Sequence, residues 1–243
     1  MRVRSLGRRS LGGGGAAVAR LFSWTGALLF ALSLVYFAYS YLWTFGAIQL
    51  DGNTAGAVTW NVTLLTAFAL HHSVFARARV RQWMASIVPP ELERPVYVWI
   101  ASLLFILVCA AWRPLPGTAW QADGLAIWAL RAVQAVGLWL TLRSAAILDI
   151  WALAGVRPQA PGPSEFKVQG PYSWIRHPIY TGWFLFVFSA SPMTMTRLVF
   201  AVVSGAYLLI AIPLEERSIR AATAGAYDRY MTAVRWKLIP GVY

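Results

Sequence analysis

Six apolar runs separated by polar connections constrain this chain more than any other feature. They cover roughly residues 21–45, 56–76, 95–112, 125–142, 179–191 and 197–214. A helix needs about 20 apolar residues to cross a bilayer, and the first four runs reach or approach that length. The fifth is broken by SASPMTMT, so we expect the last two runs to form a helical hairpin that crosses fully or in part. The sequence thus predicts an all-α integral membrane protein with about six transmembrane segments.

The composition agrees with a bilayer protein. Of the 243 residues, 58% are hydrophobic and 12% are charged, whereas a soluble domain carries about a quarter charged residues. The net charge of +12 is also compatible with nucleic-acid binding, but the basic residues lie between the apolar runs. We therefore expect the lipid bilayer as a partner and no nucleic acid. Cys109 is the single cysteine, so a CxxC metal site is excluded and we expect no metal.

The basic residues are distributed unevenly along the chain. If six segments alternate across the membrane, 18 of the 21 lysines and arginines fall on one side. Arg113 and Arg197 lie in the opposite connections, and Arg131 lies inside the fourth run. By the positive-inside rule, both termini and the basic connections are cytoplasmic. Because the chain is rich in arginine, alanine and glycine, we expect the inner membrane of a bacterium; the sequence does not predict an oligomeric state.

The chain divides into three regions. Residues 1–20 form a basic, glycine-rich tail that we expect to be flexible, and residues 21–154 contain transmembrane helices 1 to 4. Residues 155–243 contain the hairpin and a cytoplasmic tail. The first run is too long for a signal-peptide core, so we expect it to remain in the mature protein.

The stretch GPYSWIRHPIYTGW, residues 170–183, places many specific polar groups at the start of an apolar run. Pro178 suits the first turn of a helix, where its missing N–H has no cost. Arg176 and His177 lie four and three positions before Tyr180, so these side chains can share one helix face. Gly182 removes a side chain where another group can approach closely.

Glu215 and Glu216 follow the sixth run in PLEER. Helical spacing continues beyond them, so we expect them inside a helix that leaves the membrane and bends near Pro213. Because a hairpin returns the chain to the side it left, both glutamates are expected near Arg176–Tyr180, and such a cluster can hold a zwitterionic ligand. A simple Glu216–Arg220 pair one helical turn apart is the alternative.

These motifs carry a family resemblance. GPYSWIRHPIYTGW, PLEER, AGAYDRYMTAV and the closing LIP resemble the C-terminal half of the isoprenylcysteine carboxyl methyltransferase superfamily. LHHSVFARARVRQWMASIVPPELERPVYVWIASLLF further resembles its bacterial branch, which contains methanethiol S-methyltransferases and NnrU-like proteins. The resemblance covers most of residues 65–243 and implies an integral-membrane enzyme that uses S-adenosylmethionine (SAM), held by the C-terminal region.

The resemblance also assigns site residues. Arg176 and Glu216 are the expected catalytic residues. The residues that match cofactor-binding positions are His177, Pro178, Tyr180, Gly182, Glu215, Tyr227 and Tyr230. The stretch LDIWALAGVRPQ departs from the F-G-L-R-Q-like segment of members that methylate small thiols, which leaves the acceptor open.

We expect His72, Arg143 and Asp149 to line the substrate side of the site. The alternatives are an interfacial histidine pair for His71 and His72, and snorkelling of Arg143 to the membrane surface. The leading function is methyl transfer to a small or lipophilic thiol-type acceptor; carboxyl methylation of isoprenylcysteine is the alternative within this class. A membrane haem protein with His72 and His177 as axial ligands, or a carrier, represents other classes.

Overall fold

The computed structural model describes residues 13–75, 78–157 and 168–243. Its α-helices are α1 (Gly13–Leu42), α2 (Thr54–Phe75), α3 (Ala78–Ile87), α4 (Pro90–Ala110), α5 (Gly124–Ala145), α6 (Ile150–Leu153), α7 (Pro178–Phe188), α8 (Met195–Ala222) and α9 (Ala226–Ala233). Short 3₁₀ turns lie at Thr44–Gly46 and Gly170–Ser173, and strands β1 (Thr118–Trp120) and β2 (Met193–Thr194) form a small antiparallel ribbon. Helix α1 begins inside the tail predicted at 1–20, of which residues 1–12 lie outside the described residues.

Each of the six apolar runs forms a helix, namely α1, α2, α4, α5, α7 and α8. Four helices, α1, α4, α5 and α8, are long and apolar enough to cross a membrane. Helix α2 has 22 residues but is less apolar, and α7 has only 11 residues, about 16 Å of helix. The structure therefore confirms a helical membrane protein with four candidate spans among the described residues, and the count of about six segments stays a prediction.

The helices pack in the neighbour order α5, α7, α8, α2, α4 and α1. Aromatic side chains from five of them meet in one core, where Phe37 stacks on Trp183 and Phe200. The hydroxyl of Tyr41 in this core donates to the carbonyl of Val187. Aromatic burial contributes the largest area per residue to such a core, so it fixes α1 against α7 and α8.

A buried arginine closes one end of the bundle. Arg197, in the first turn of α8, donates through Nε to the Tyr41 carbonyl at 2.9 Å and through Nη2 to the Leu42 carbonyl at 2.6 Å. It also donates to the Pro192 carbonyl at 2.6 Å. These carbonyls at the end of α1 lack helical partners, so Arg197 satisfies them and joins α1 to α8.

The same end also contains the connection between α4 and α5. The Leu115 amide donates to Thr196 Oγ1 at 2.8 Å, and β1 pairs with β2 next to α8. The turn between α7 and α8 therefore reaches the end where α1 and α4 finish, although α7 itself is short. Residues Arg176 and Glu215 consequently lie at the opposite end of the bundle.

Helices α5 and α7 approach each other closely at two glycines. A Cβ placed on Gly182 would lie 2.3 Å from Thr141 Oγ1 and 2.6 Å from the Gly137 carbonyl. Small residues at helix interfaces in membranes permit such backbone contact. The group that approaches Gly182 in this structure is thus helix α5.

Candidate active site

The candidate site lies where the start of α7, the last turns of α8, α9 and the tail after α9 meet. Pro178 is the first residue of α7 and His177 is its N-cap. Helix α8 continues through Pro213 to Ala222, so Glu215 and Glu216 lie inside it as expected. The chain then turns at Gly225, whose φ of 83° suits glycine, into α9. This turn folds α9 back towards α7.

Arg176 and Glu216 form a buried ion pair at the centre of the site. Arg176 Nε donates to Glu216 Oε1 at 2.7 Å, and the side chains are 5% and 8% exposed. His177 Nε2 lies 3.1 Å from the same oxygen and donates to it, because a carboxylate only accepts. Tyr227 OH makes a longer contact of 3.4 Å. Glu216 is therefore the charge that holds α7, α8 and α9 together.

Glu215 has a different environment although it is the adjacent residue. Its side chain is 44% exposed, and Oε2 accepts a hydrogen bond from Tyr180 OH at 2.8 Å. The His177 ring stacks on Tyr180 at a centroid distance of 5.4 Å and an interplanar angle of 13°. Within the described residues, Glu215 Oε1 has no hydrogen-bond partner. Glu215 thus presents an accessible negative charge beside an aromatic pair.

The tail after α9 is hydrogen-bonded directly to the segment that begins α7. Arg176 Nη1 donates to the carbonyls of Val234 and Arg235 at 2.9 and 2.6 Å. The Arg176 amide donates to the Trp236 carbonyl at 2.9 Å, and Thr181 Oγ1 donates to the Leu238 carbonyl at 2.9 Å. Arg176 consequently fixes the position of the tail as well as that of Glu216.

Three tyrosines form the wall contributed by α9 and the 3₁₀ turn before α7. Tyr230 OH donates to the Tyr172 carbonyl at 2.8 Å. Burial raises the pKa of Tyr230 to about 12, and burial together with the nearby Glu216 charge raises the pKa of Tyr227. Burial also raises the pKa of Tyr172. These tyrosines are therefore neutral near pH 7 and offer hydroxyls and aromatic faces rather than charge.

The expected convergence of Arg176, His177 and Tyr180 with Glu215 and Glu216 is present in the structure. The alternative Glu216–Arg220 pair is wrong, because Arg220 Nε bonds Asp228 Oδ1 at 2.7 Å. Pattern reasoning could not show that Glu216 would be buried and Glu215 exposed.

The substrate-side residues lie in separate places. His72 Nδ1 is 2.7 Å from Tyr97 OH, between α2 and α4. Asp149 caps α6 by accepting a hydrogen bond from the Ala152 amide at 3.0 Å, and Arg143 is exposed in the last turn of α5. In the described part of the chain, no hydrogen bond or ion pair joins Arg143 or Asp149 to the Glu215–Glu216 cluster.

Sequence reasoning did not single out Tyr172, Tyr97 or Tyr207. Tyr172 lies inside GPYSWIRHPIYTGW, and its place in that motif could have identified it from the sequence. Tyr97 and Tyr207 lie within apolar runs, where a tyrosine is usually a packing residue. Their polar contacts depend on helix neighbours that the spacing alone does not give.

The site combines one accessible carboxylate, stacked aromatic rings and several hydroxyls. A carboxylate suits an ammonium group, and aromatic faces suit a sulfonium or a planar heterocycle. Hydroxyls suit sugar oxygens. The arrangement is thus able to bind a zwitterionic, cationic ligand that also has a flat ring system.

Comparison with known proteins gives the family. The model of the isoprenylcysteine carboxyl methyltransferase (ICMT) family matches residues 142–221, which include Arg176–Tyr180 and Glu215–Glu216 but not α9 or the tail. The chain is 31% identical to methanethiol S-methyltransferase 2 of Bradyrhizobium diazoefficiens, over 92% of this chain and 93% of that protein. No solved structure matches the chain significantly.

Two further relatives carry a similar name. The methanethiol S-methyltransferase of Crocosphaera subtropica is 35% identical over 73% of each chain. That of Mycobacterium tuberculosis is 36% identical over 73% of this chain and 76% of its own. The protein therefore belongs to the isoprenylcysteine carboxyl methyltransferase family and is a membrane methyltransferase.

Proposed function

We propose that this protein transfers the methyl group of SAM to the sulfur of a small or lipophilic thiol. The observation that carries the proposal is the accessible Glu215 carboxylate beside the stacked His177 and Tyr180 rings, in a chain similar over nearly its full length to a methanethiol S-methyltransferase. The haem and carrier alternatives do not account for the family match.

The residues present fit SAM. When bound, SAM supplies an activated methyl group on a sulfonium centre. Glu215 would bind its ammonium group or a ribose hydroxyl, because this carboxylate is half exposed and accepts only from Tyr180 among described partners. His177, Tyr180, Tyr227 and Tyr230 would provide aromatic contacts. Pro178 is the first residue of α7, and Gly182 lets α7 pack closely against α5. Both residues would therefore hold the helix that carries Tyr180 in position.

Arg176 and Glu216 would act mainly by fixing the relative positions of the elements that form the site. Their buried pair and the bonds from Arg176 to the tail hold α7, α8 and α9 in one arrangement. A rigid frame of this kind supplies the alignment on which an in-line methyl transfer depends. A direct catalytic contact by either residue stays a prediction.

A thiol suits the site better than the carboxylate of a prenylated cysteine. Arg176, the arginine at the centre of the site, already bonds Glu216 and two carbonyls and is therefore not available to a carboxylate acceptor. A thiol needs only shape, apolar surface and a route for its proton. His72, Arg143 and Asp149 remain candidates for the acceptor side.

The proposed orientation places the site in the cytoplasm of a bacterial cell, with both termini on that side. Arg94, Arg143, Arg176 and the basic tail lie at the end of the bundle opposite Arg197. The positive-inside rule assigns that end to the cytoplasm.

Calorimetric titration of the detergent-purified protein with SAM tests the cofactor assignment. We expect saturable binding that is weakened about tenfold or more in Glu215→Ala, which removes a charge-assisted contact. Arg217→Ala, an exposed residue two positions away on α8, is the matched control and should bind normally. Absence of SAM binding to the wild-type protein would contradict the proposal.

A further inference from the structure

A second polar cluster lies between α2, α4 and α8, outside the site described above. His72 Nδ1 is 2.7 Å from Tyr97 OH, and the Arg94 guanidinium lies 4.8 Å from the centre of the Tyr97 ring. On the next residue of α2, Ser73 Oγ is 3.1 Å from Tyr207 OH. Ionisable groups at membrane depth are costly and mark functional positions by default.

One nitrogen of His72 is available to a ligand. The side chain is exposed, and Nε2 has no hydrogen-bond partner in the described residues. His71 differs, because both of its ring nitrogens are buried without a hydrogen bond and its ring stacks on Tyr97 and Phe75. The contact of Nδ1 with Tyr97 therefore orients the His72 ring, and Nε2 remains accessible to a ligand.

The cluster is connected to the candidate cofactor site through Tyr207. Tyr207 bonds Ser73 of α2 and lies on the same helix, α8, as Glu215. It precedes Glu215 by eight positions on α8, about 12 Å along the helix axis. The cluster at His72 and Ser73 thus lies deeper in the bundle than Glu215.

Methyl transfer to a neutral thiol releases a proton, which needs an acceptor. Glu216 already accepts from Arg176 and His177, and the proposed function assigns the accessible Glu215 carboxylate to SAM. Resting on the proposed function, we propose that His72 Nε2 removes the proton of the acceptor thiol, with Tyr97 as the residue that positions the ring.

The step balances without any further reactant. The S–H bond breaks, its electron pair stays on sulfur, and the proton forms an N–H bond at Nε2. This role requires the tautomer in which His72 Nδ1–H donates to Tyr97 Oη and Nε2 keeps a free lone pair. The imidazolium later returns the proton to water. The other ionisable groups around the ring are His71 on α2, Arg94 and Tyr97 on α4, and Tyr207 on α8.

Two thiols of similar shape and different acidity test this role in His72→Gln. Benzyl mercaptan is protonated near neutral pH, whereas 4-nitrothiophenol is already a thiolate. We expect methyl transfer to benzyl mercaptan to fall about 100-fold or more, as for loss of a general base, and transfer to 4-nitrothiophenol to fall less than about threefold. Tyr97→Phe should also reduce methyl transfer to benzyl mercaptan more than methyl transfer to 4-nitrothiophenol. His71→Gln is the matched control and should transfer methyl to both thiols normally.

A measurement without the methyl donor separates the proton step from catalysis. The ultraviolet absorbance of the thiolate reports the pKa of benzyl mercaptan bound to the SAM-free protein during a pH titration. We expect this pKa to lie below the value in water for the wild type and His71→Gln, and at the water value for His72→Gln.

The possible results distinguish failure of the His72 role from failure of the proposed function. If His72→Gln loses methyl transfer equally with both thiols, or loses none with benzyl mercaptan, the role of His72 is overturned. The proposal of thiol methylation itself is not affected by either result. A bound thiol whose pKa is the same in wild type and His72→Gln would overturn the role of His72 as well. A wild-type protein that methylates neither thiol would contradict the proposed function, and the inference with it.

Discussion

Adjacent residues on α8 perform different tasks because successive positions on a helix point about 100° apart. Glu216 points into the interface of α7, α8 and α9, where Arg176 pairs with it and His177 donates a hydrogen bond to it. Glu215 points to the accessible side, where Tyr180 is its partner. One turn of α8 thereby provides both the buried carboxylate of Glu216, which joins the elements of the site, and the accessible carboxylate of Glu215.

Alanine at each glutamate should separate these tasks. We expect Glu216→Ala to lower the free energy of unfolding by about 3–5 kcal/mol, because removing one partner of a buried pair leaves Arg176 without its charge partner. Glu215→Ala should unfold at the wild-type temperature. Thermal unfolding in detergent measures both. A Glu216→Ala protein as stable as the wild type would show that the pair does not hold the site together.

The convergence of Arg176–Tyr180 with Glu215–Glu216 was predictable from sequence, because a hairpin brings its two ends to the same side. Which glutamate would be buried was not predictable. That difference arises from α9 and the tail, whose position depends on the left-handed turn at Gly225 and on bonds to Val234 and Arg235. Such contacts have no signature in residue spacing.

Contact between α5 and α7 depends on the absence of side chains at Gly137 and Gly182. Helix α7 is short and forms the floor of the site through Pro178 and Tyr180. Its position therefore follows from how closely α5 can pack against it.

Gly182→Ala should separate these helices. Its Cβ would lie 2.6 Å from the Gly137 carbonyl, so we expect a loss of about 1–3 kcal/mol in stability, as for an overpacked core. SAM affinity should fall as well, because α7 carries His177 and Tyr180. Gly14→Ala is the control, since a Cβ there meets nothing within 4 Å. Equal unfolding temperatures for both variants would contradict this packing.

Replacing Arg197 tests the clamp at the other end of the bundle. Arg197→Leu leaves the carbonyls of Tyr41 and Leu42 without a donor, so we expect a loss of about 1–3 kcal/mol. Arg113→Leu is the control, because Arg113 is exposed and lies over the Trp60 ring. SAM affinity of the folded Arg197→Leu protein should be unchanged, and a specific loss of SAM binding would argue against a purely structural clamp.

The apolar runs identified every long helix, because burial in a bilayer requires length and apolarity that the sequence displays directly. The short helices α3, α6 and α9 and the β1–β2 ribbon were not expected. They carry no long apolar run, and each forms only where the neighbouring helices offer partners, as Asp149 does for α6. Arg197 was assigned to the connection between the fifth and sixth runs, but it lies in the first turn of α8, and its burial against α1 was not foreseen.

The molecule as a whole has two chemically different ends. One end contains the Arg197 clamp and the ribbon, and the other contains the candidate site and most of the basic residues that the structure describes. This polarity predicts a single orientation in the membrane.

Cysteine labelling in intact bacteria measures that orientation. In a Cys109→Ala background, Val242→Cys should react with an impermeant maleimide only after the cells are opened. Asp51→Cys, in the connection between α1 and α2 at the other end, should react in intact cells. Reaction of Val242→Cys from outside would reverse the proposed orientation.

The central claim is that this family member methylates sulfur. The most direct measurement gives purified protein a methyl-labelled SAM together with equal amounts of methanethiol and N-acetyl-S-farnesylcysteine, and then identifies the labelled product. We predict labelled dimethyl sulfide, because Arg176 is occupied by Glu216 and the tail and cannot bind a carboxylate acceptor. A labelled methyl ester of the farnesylcysteine, with no labelled thioether, would contradict the account.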